Sequence, residues 1–214
     1  HVPKRDNRVS RQESMLENFK GGVNYVRGEQ TTLALILLGM VPALFVMPFI
    51  NALIPVFNDE VLGNGPKGLG NLMAMYAVGA MLGTFVLATL QNFRHKGQLL
   101  IGAAIASGFT LIVFGYTNWM PMSMFVLFLS GAAHMMYMAT NNTLIQLTTP
   151  PEFRGRVLSL FFLDHALTPL GSLFAGFLAW QYGSPFAFAV GGTIASSKVI
   201  VMAFRFRALR ETTA

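Results

Sequence analysis

The chain has 214 residues, 53% of them hydrophobic and only 11% charged, whereas about a quarter of a soluble domain is charged; an ordinary water-soluble fold is excluded and lipid is the expected medium. Its net charge of +6 gathers at the ends of apolar segments instead of along one face, which argues against a nucleic-acid partner. Cysteine is absent, and with it go disulfide frameworks and thiolate metal sites.

Residues 1–30 carry six Lys or Arg against four acids and are read as a cytoplasmic linker. Ser10 with Glu13, and Ser14 with Glu17, have the spacing of a capping box. Met15, Leu16, Phe19, Val23 and Val26 recur at helical intervals, which predicts a short amphipathic helix at the interface; a solvated linker is the other reading. The start at His1, with no apolar signal-peptide core behind it, is read as the start of a piece of a longer polypeptide.

Six apolar segments follow over 31–205, each about the twenty residues needed to cross roughly 30 Å of hydrocarbon. The first, 32–57, contains Pro42, Pro48 and Pro55, which predict kinks. The second, 68–90, carries Gly79 and Gly83, a spacing that permits close helix contact. No Lys, Arg, Asp or Glu occurs between Gln98 and Pro151, too long a stretch for one helix. A break at Gly115 to Pro121 divides it into spans at 99–116 and 122–147. A fifth span is expected at 156–180 and a sixth at 185–204, leaving 206–214 as a tail. Tyr116, Trp119, Trp180 and Tyr182 fall at span ends, where amphipathic aromatics settle. The fold class expected is an all-α membrane protein with six transmembrane helices.

The N-terminal segment, the 92–98 loop, the 152–156 loop and the tail hold all but two of the fifteen basic residues. The alternate loops hold only Lys67. Both termini are therefore expected on the cytoplasmic side.

No G-x-S-x-G, H-E-x-x-H or phosphate-binding loop is present, so neither an enzyme nor a bound cofactor or metal is expected. What remains is polar groups in lipid-depth segments: Asn51, His134, Asn141, Asn142, Gln146, Asp164, His165, Thr168 and Lys198. Asn141 opens a glycosylation sequon, but inside a predicted span it has no such use. Asp164 stands eight residues beyond Arg156, about 12 Å along a helix, and Lys198 stands seven before Arg205, about 10 Å. An ion pair between them is within reach, though a lysine so placed can also extend to the interface. Asp164 suits substrate or proton handling, or a bond between helices. His134 lies mid-span, with Tyr137, Met138 and Asn141 on its face. Its imidazole suits proton coupling or an anionic ligand, and otherwise a bond to a neighbouring helix. Thr168 shares Asp164's face, and His165 lies about 100° round the helix.

Gln146, Thr149 to Pro151, Arg154-Gly155-Arg156-Val157, Pro169-Leu170-Gly171, Ala175-Gly176 and Gly183 resemble the tenth and eleventh helices of a major facilitator superfamily transporter. More narrowly, they resemble the bacterial branch that includes the enterobactin exporter and the transmembrane secretion effectors. The resemblance implies that the six spans are helices seven to twelve, half of a twelve-helix major facilitator fold, partnered by an N-terminal six-helix half. It implies that the first, second, fourth and fifth spans line a central cavity. Asp164, His134, Asn141, Asn51, Thr168 and His165 are then candidates for substrate or proton coupling, and Lys198 is demoted. Arg154, Arg156 and Arg94 become candidates for cytoplasmic-loop gating, although the Asn92 to Gly97 loop lacks the acidic part of the superfamily's signature. The implied activity is export of a siderophore- or drug-like small molecule across the bacterial inner membrane by alternating access, with protons as coupling ion. A self-contained six-helix channel or structural membrane protein, an importer, or a lysophospholipid transporter would use the same residues. An intramembrane enzyme is disfavoured, since no nucleophile and base stand at helical spacing.

Overall fold

A computed structural model describes residues 15–90 and 95–206, with side chains from 21 onward except 162–165. The proposed caps at Ser10 and Ser14, the gating candidate Arg94 and the tail arginines Arg207 and Arg210 lie outside the described residues. So do the side chains of Asp164 and His165.

Among the described residues there is helix and no strand. The elements are α1 Met15–Gly28, α2 Gln30–Phe45, α3 Met47–Phe57 running on as a π-helical turn Asn58–Leu62, α4 Gly65–Thr89, α5 Lys96–Gly115, α6 Met120–Thr148, α7 Pro151–Leu163, a 3-10 turn Asp164–Leu167, α8 Thr168–Tyr182 and α9 Ser184–Arg205. Five stretches are long and apolar enough to cross a bilayer: Gln30–Leu62, Gly65–Thr89, Lys96–Gly115, Met120–Thr148 and Ser184–Arg205. The chain is a multi-pass membrane protein by that measure.

Proline explains where the helices bend. In the first apolar stretch the α-helix stops at Val46 (φ −116°, ψ −65°) and restarts with Pro48 in its first turn. Proline there lacks only an N–H that a helix start leaves unused. The stretch expected as a continuous fifth span is divided: α7 and α8 are separated by the 3-10 turn, with Pro169 in the first turn of α8. Pro169 cannot donate to the carbonyl four residues back, so the α-helix cannot pass through unbroken. At its other end this element starts at Pro151 rather than near Arg156, which places Arg154 and Arg156 on helix instead of in a loop.

Glycine sets the spacing of the helices. α4 lies along α6, and a methyl group added at Gly79 or Gly83 would collide with the backbone of Phe128 or Ala132. From the facing helix, Gly131 presses in the same way on the Tyr76 carbonyl. α5 and α9 meet through Gly108 and Gly192. In lipid, where burial of apolar surface does not drive helices together, such close approach supplies the dispersion contacts that do. α2 and α3 pack against α6, α8 and α9. Near the Asn58–Leu62 turn, Phe57, Phe114 and Phe188 form a buried cluster with ring centroids 4.7 to 5.7 Å apart. Gly183, at φ +85°, makes the reversal from α8 into α9 with a backbone that side-chain-bearing residues avoid.

Candidate functional site

Where α2 gives way to α3, the bend leaves a cavity of about 170 Å³. Gly39, Pro42 and Ala43 line it from α2, Met47 and Asn51 from α3, His134, Tyr137 and Met138 from α6, Phe161 from α7 and Thr168 from the start of α8. Its wall is mostly apolar, with a few polar groups that converge from three helices, the usual character of a small-molecule site.

His134 is buried and is the centre of the polar group. Its Nδ1 lies 3.0 Å from the Tyr76 hydroxyl of α4, and that hydroxyl lies 3.7 Å from Met47 Sδ. The direction of the His134–Tyr76 bond depends on the proton inventory of the imidazole. A neutral ring with a bare Nδ1 accepts from the Tyr76 O–H, whereas an imidazolium must donate from Nδ1 to the Tyr76 oxygen. The other partner of the Tyr76 hydroxyl is the Met47 sulfur, a weak acceptor that lines the cavity. Tyr76 is not among the polar groups that the sequence singles out. The clue was present, a polar-tipped aromatic eleven residues into a 25-residue apolar helix, but nothing in the sequence identifies its partner.

Asn51 is exposed at the cavity wall and Thr168 is half-buried there. Asn141 does not line the cavity: it is buried and its Nδ2 donates to the Leu35 carbonyl of α2 at 3.3 Å. Asp164 and His165 fall in the 3-10 turn directly before Thr168, and their side chains are outside the described ones. Lys198, on α9, sits away from the cavity, its ammonium 4.8 Å from the Phe45 ring centroid.

Two of the gating candidates have defined surroundings. Arg154 Nε donates to the Thr149 carbonyl at 3.0 Å and so caps the end of α6. Arg156 packs against Gly21 and Gly22 of α1 and lies 5.9 Å from the Phe153 ring. The Phe153 ring stacks on Tyr25 with centroids 4.5 Å apart. α1 is thereby fastened to the start of α7.

Residues 2–214 match the family described as transmembrane secretion effector. The chain is 28% identical over 187 residues to the MFS-type transporter YvqJ of Bacillus subtilis (strain 168), covering 87% of this chain and 44% of that protein. It is 25% identical over 169 residues to the multidrug efflux pump Tap of Mycolicibacterium fortuitum, covering 78% and 41%. It is 27% identical over 154 residues to a staphyloferrin A transporter of Staphylococcus aureus (strain NCTC 8325 / PS 47), covering 72% and 38%. These relatives are named as transporters or pumps and none as an enzyme. The chain spans less than half the length of each. No solved structure matches it.

Proposed function

This chain belongs to the transmembrane secretion effector family of the major facilitator superfamily, and from that premise we propose that it is one six-helix half of a secondary transporter that exports a small molecule across the bacterial inner membrane. In this reading the α7–α8 element supplies the sixth crossing, both ends face the cytoplasm, and the second half of the transporter closes the far side of the cavity. Rocking of the two halves exposes that cavity to each side in turn.

The observation that carries the reading is the His134–Tyr76–Met47 contact at the cavity wall. Histidine is a side chain suited to carrying a proton, and here it lines the cavity while bonding to Tyr76 of α4. The apolar lining with Asn51 and Thr168 suits a largely apolar solute with a few hydrogen-bonding groups. Two relatives carry names that fit such a cargo, one a multidrug efflux pump and one a siderophore transporter.

The test is transport by the product of the complete gene in inverted membrane vesicles under an imposed pH gradient. His134→Ala is expected to reduce gradient-driven transport by about 100-fold or more, the lower end of what a positioned proton-transfer group contributes. Tyr76→Phe, which keeps the ring and removes the hydroxyl, is expected to shift the pH profile of transport with the protein still folded. Asp164→Asn addresses the acid of the 3-10 turn in the same assay. Wild-type rates and an unmoved pH profile in both His134→Ala and Tyr76→Phe would remove proton coupling through this pair.

A further inference from the structure

Between α1, α2 and α7 lies a groove of about 290 Å³. Its floor is Leu33, Ile36 and Met40, which recur on one face of α2, and Leu160 of α7 forms the far wall. Arg27, at the end of α1, is the charged residue that lines it. The polarity of the groove follows from the order of the chain. Arg27 to Gln30 are exposed and lead into the apolar stretch that begins at Gln30. At 1.5 Å per residue, Leu33, Ile36 and Met40 then lie about 5, 9 and 15 Å further in. The cation thus stands at the water boundary, and the apolar floor runs inward from it. Arg27 is held over that mouth because α1 is fastened to α7: Tyr25 stacks on Phe153 at 4.5 Å, and Gly22 sits against Arg156 and Leu160. No carboxylate among the described residues pairs with Arg27. Beyond the 3-10 turn α8 packs on α9, whereas α7 before it packs on α1, which leaves Leu33, Ile36, Met40 and Leu160 only half-buried.

A guanidinium at the boundary, with an apolar channel leading inward from it, is complemented by an amphiphile whose outer end is anionic. We propose that the groove is a binding site for an anionic phospholipid of the leaflet that borders α1. Its phosphate lies outermost, on Arg27, and one acyl chain runs inward past Leu33, Ile36 and Met40 against Leu160. Headgroup and tail then point the same way as those of the surrounding leaflet. The site is separate from the cavity but backs directly onto it. Met40, Leu160 and Leu167 line the groove, while their chain neighbours Gly39, Phe161 and Thr168 line the cavity. A bound chain therefore supports the two elements that wall the cavity, α2 and the α7–α8 segment, which makes the cavity's shape sensitive to the charge of the surrounding lipid.

The test is native mass spectrometry of the delipidated full-length protein titrated with phosphatidylglycerol or with phosphatidylcholine of the same acyl chains. The wild type should retain phosphatidylglycerol in preference to phosphatidylcholine. Arg27→Gln, a change at an exposed position, should reduce that retention by about five-fold, the scale of one cation facing an anionic headgroup, while Arg27→Lys should keep it. Ile36→Trp leaves the charge in place and fills the groove, and should reduce retention as well; if Arg27→Gln does not fold, this variant decides. Equal retention of the two lipids by the wild type would overturn the proposal. Undiminished phosphatidylglycerol retention in Arg27→Gln or Ile36→Trp would do so too, and is the result expected if the lipid is held elsewhere on the protein.

Discussion

The Leu38 carbonyl shows how one residue's chemistry directs another's position. In an unbroken helix it would accept from the N–H four residues on, but that residue is Pro42 and has none. The Tyr137 hydroxyl of α6 takes the place of the missing donor, at 2.9 Å. Three residues earlier, the Leu35 carbonyl accepts from Asn141. Both side chains were legible from the sequence as companions of His134 on one face of α6, and Tyr137 does line the same cavity. Periodicity, however, does not distinguish a polar group that faces a ligand from one that satisfies a neighbouring backbone. Tyr137→Phe should cost about 1 kcal/mol of stability, the scale of one interhelical hydrogen bond in a membrane protein. In a Pro42→Ala background, where the backbone N–H is restored, the same substitution should cost little. Thermal or denaturant unfolding of the four proteins in detergent measures the cycle, and an undiminished cost in the Pro42→Ala background would show that Tyr137 stabilises by other means.

Among the helices themselves, the α4–α6 pair is held at a distance only glycine allows. Gly131→Val should destabilise by about 1–3 kcal/mol, the usual cost of forcing extra methyl groups into a filled contact, because the Tyr76 backbone must give way. Since Tyr76 carries the bond to His134, the same variant should also impair transport. Gly102→Ala, with nothing within 4 Å of the added carbon, should leave both unchanged. Thermal unfolding and the vesicle assay check the pair; a neutral Gly131→Val would mean that the two helices are less closely apposed. Gly79 and Gly83 were visible in the sequence as a spacing, but their contact partners Phe128 and Ala132 were not, because nothing in the chain's order says that α4 lies along α6 rather than α5. The break at Asp164–Leu167 was hidden for another reason. A Pro such as Pro169 inside an apolar run either kinks a span or divides it, and neighbouring helices decide which.

For the molecule as a whole, the positions of the apolar runs could be read directly, because a segment that crosses lipid must be long and nearly uncharged. The faces left open by this chain are equally informative. Val78, Met81 and Phe85 of α4, and Leu173, Phe177 and Trp180 of α8, are large, apolar and exposed, and α4 is the least buried of the long helices. In the proposed transporter these flanks meet the other half. Cysteines at Phe85 and Phe177 should cross-link to that half in the full-length protein, while one at Phe109, exposed on α5, should not.

The central claim is that this chain crosses the bilayer and holds at mid-span a cavity that water and solute reach. The absence of native cysteine in these 214 residues makes it directly testable with single cysteines, in full-length protein freed of any others. Asn51→Cys should react with a membrane-impermeant thiol reagent and be protected by a transported solute, while Phe109→Cys stays unreactive. If Asn51→Cys is as inert as Phe109→Cys, or reacts equally fast whether or not solute is present, the cavity is not the route and the claim is contradicted.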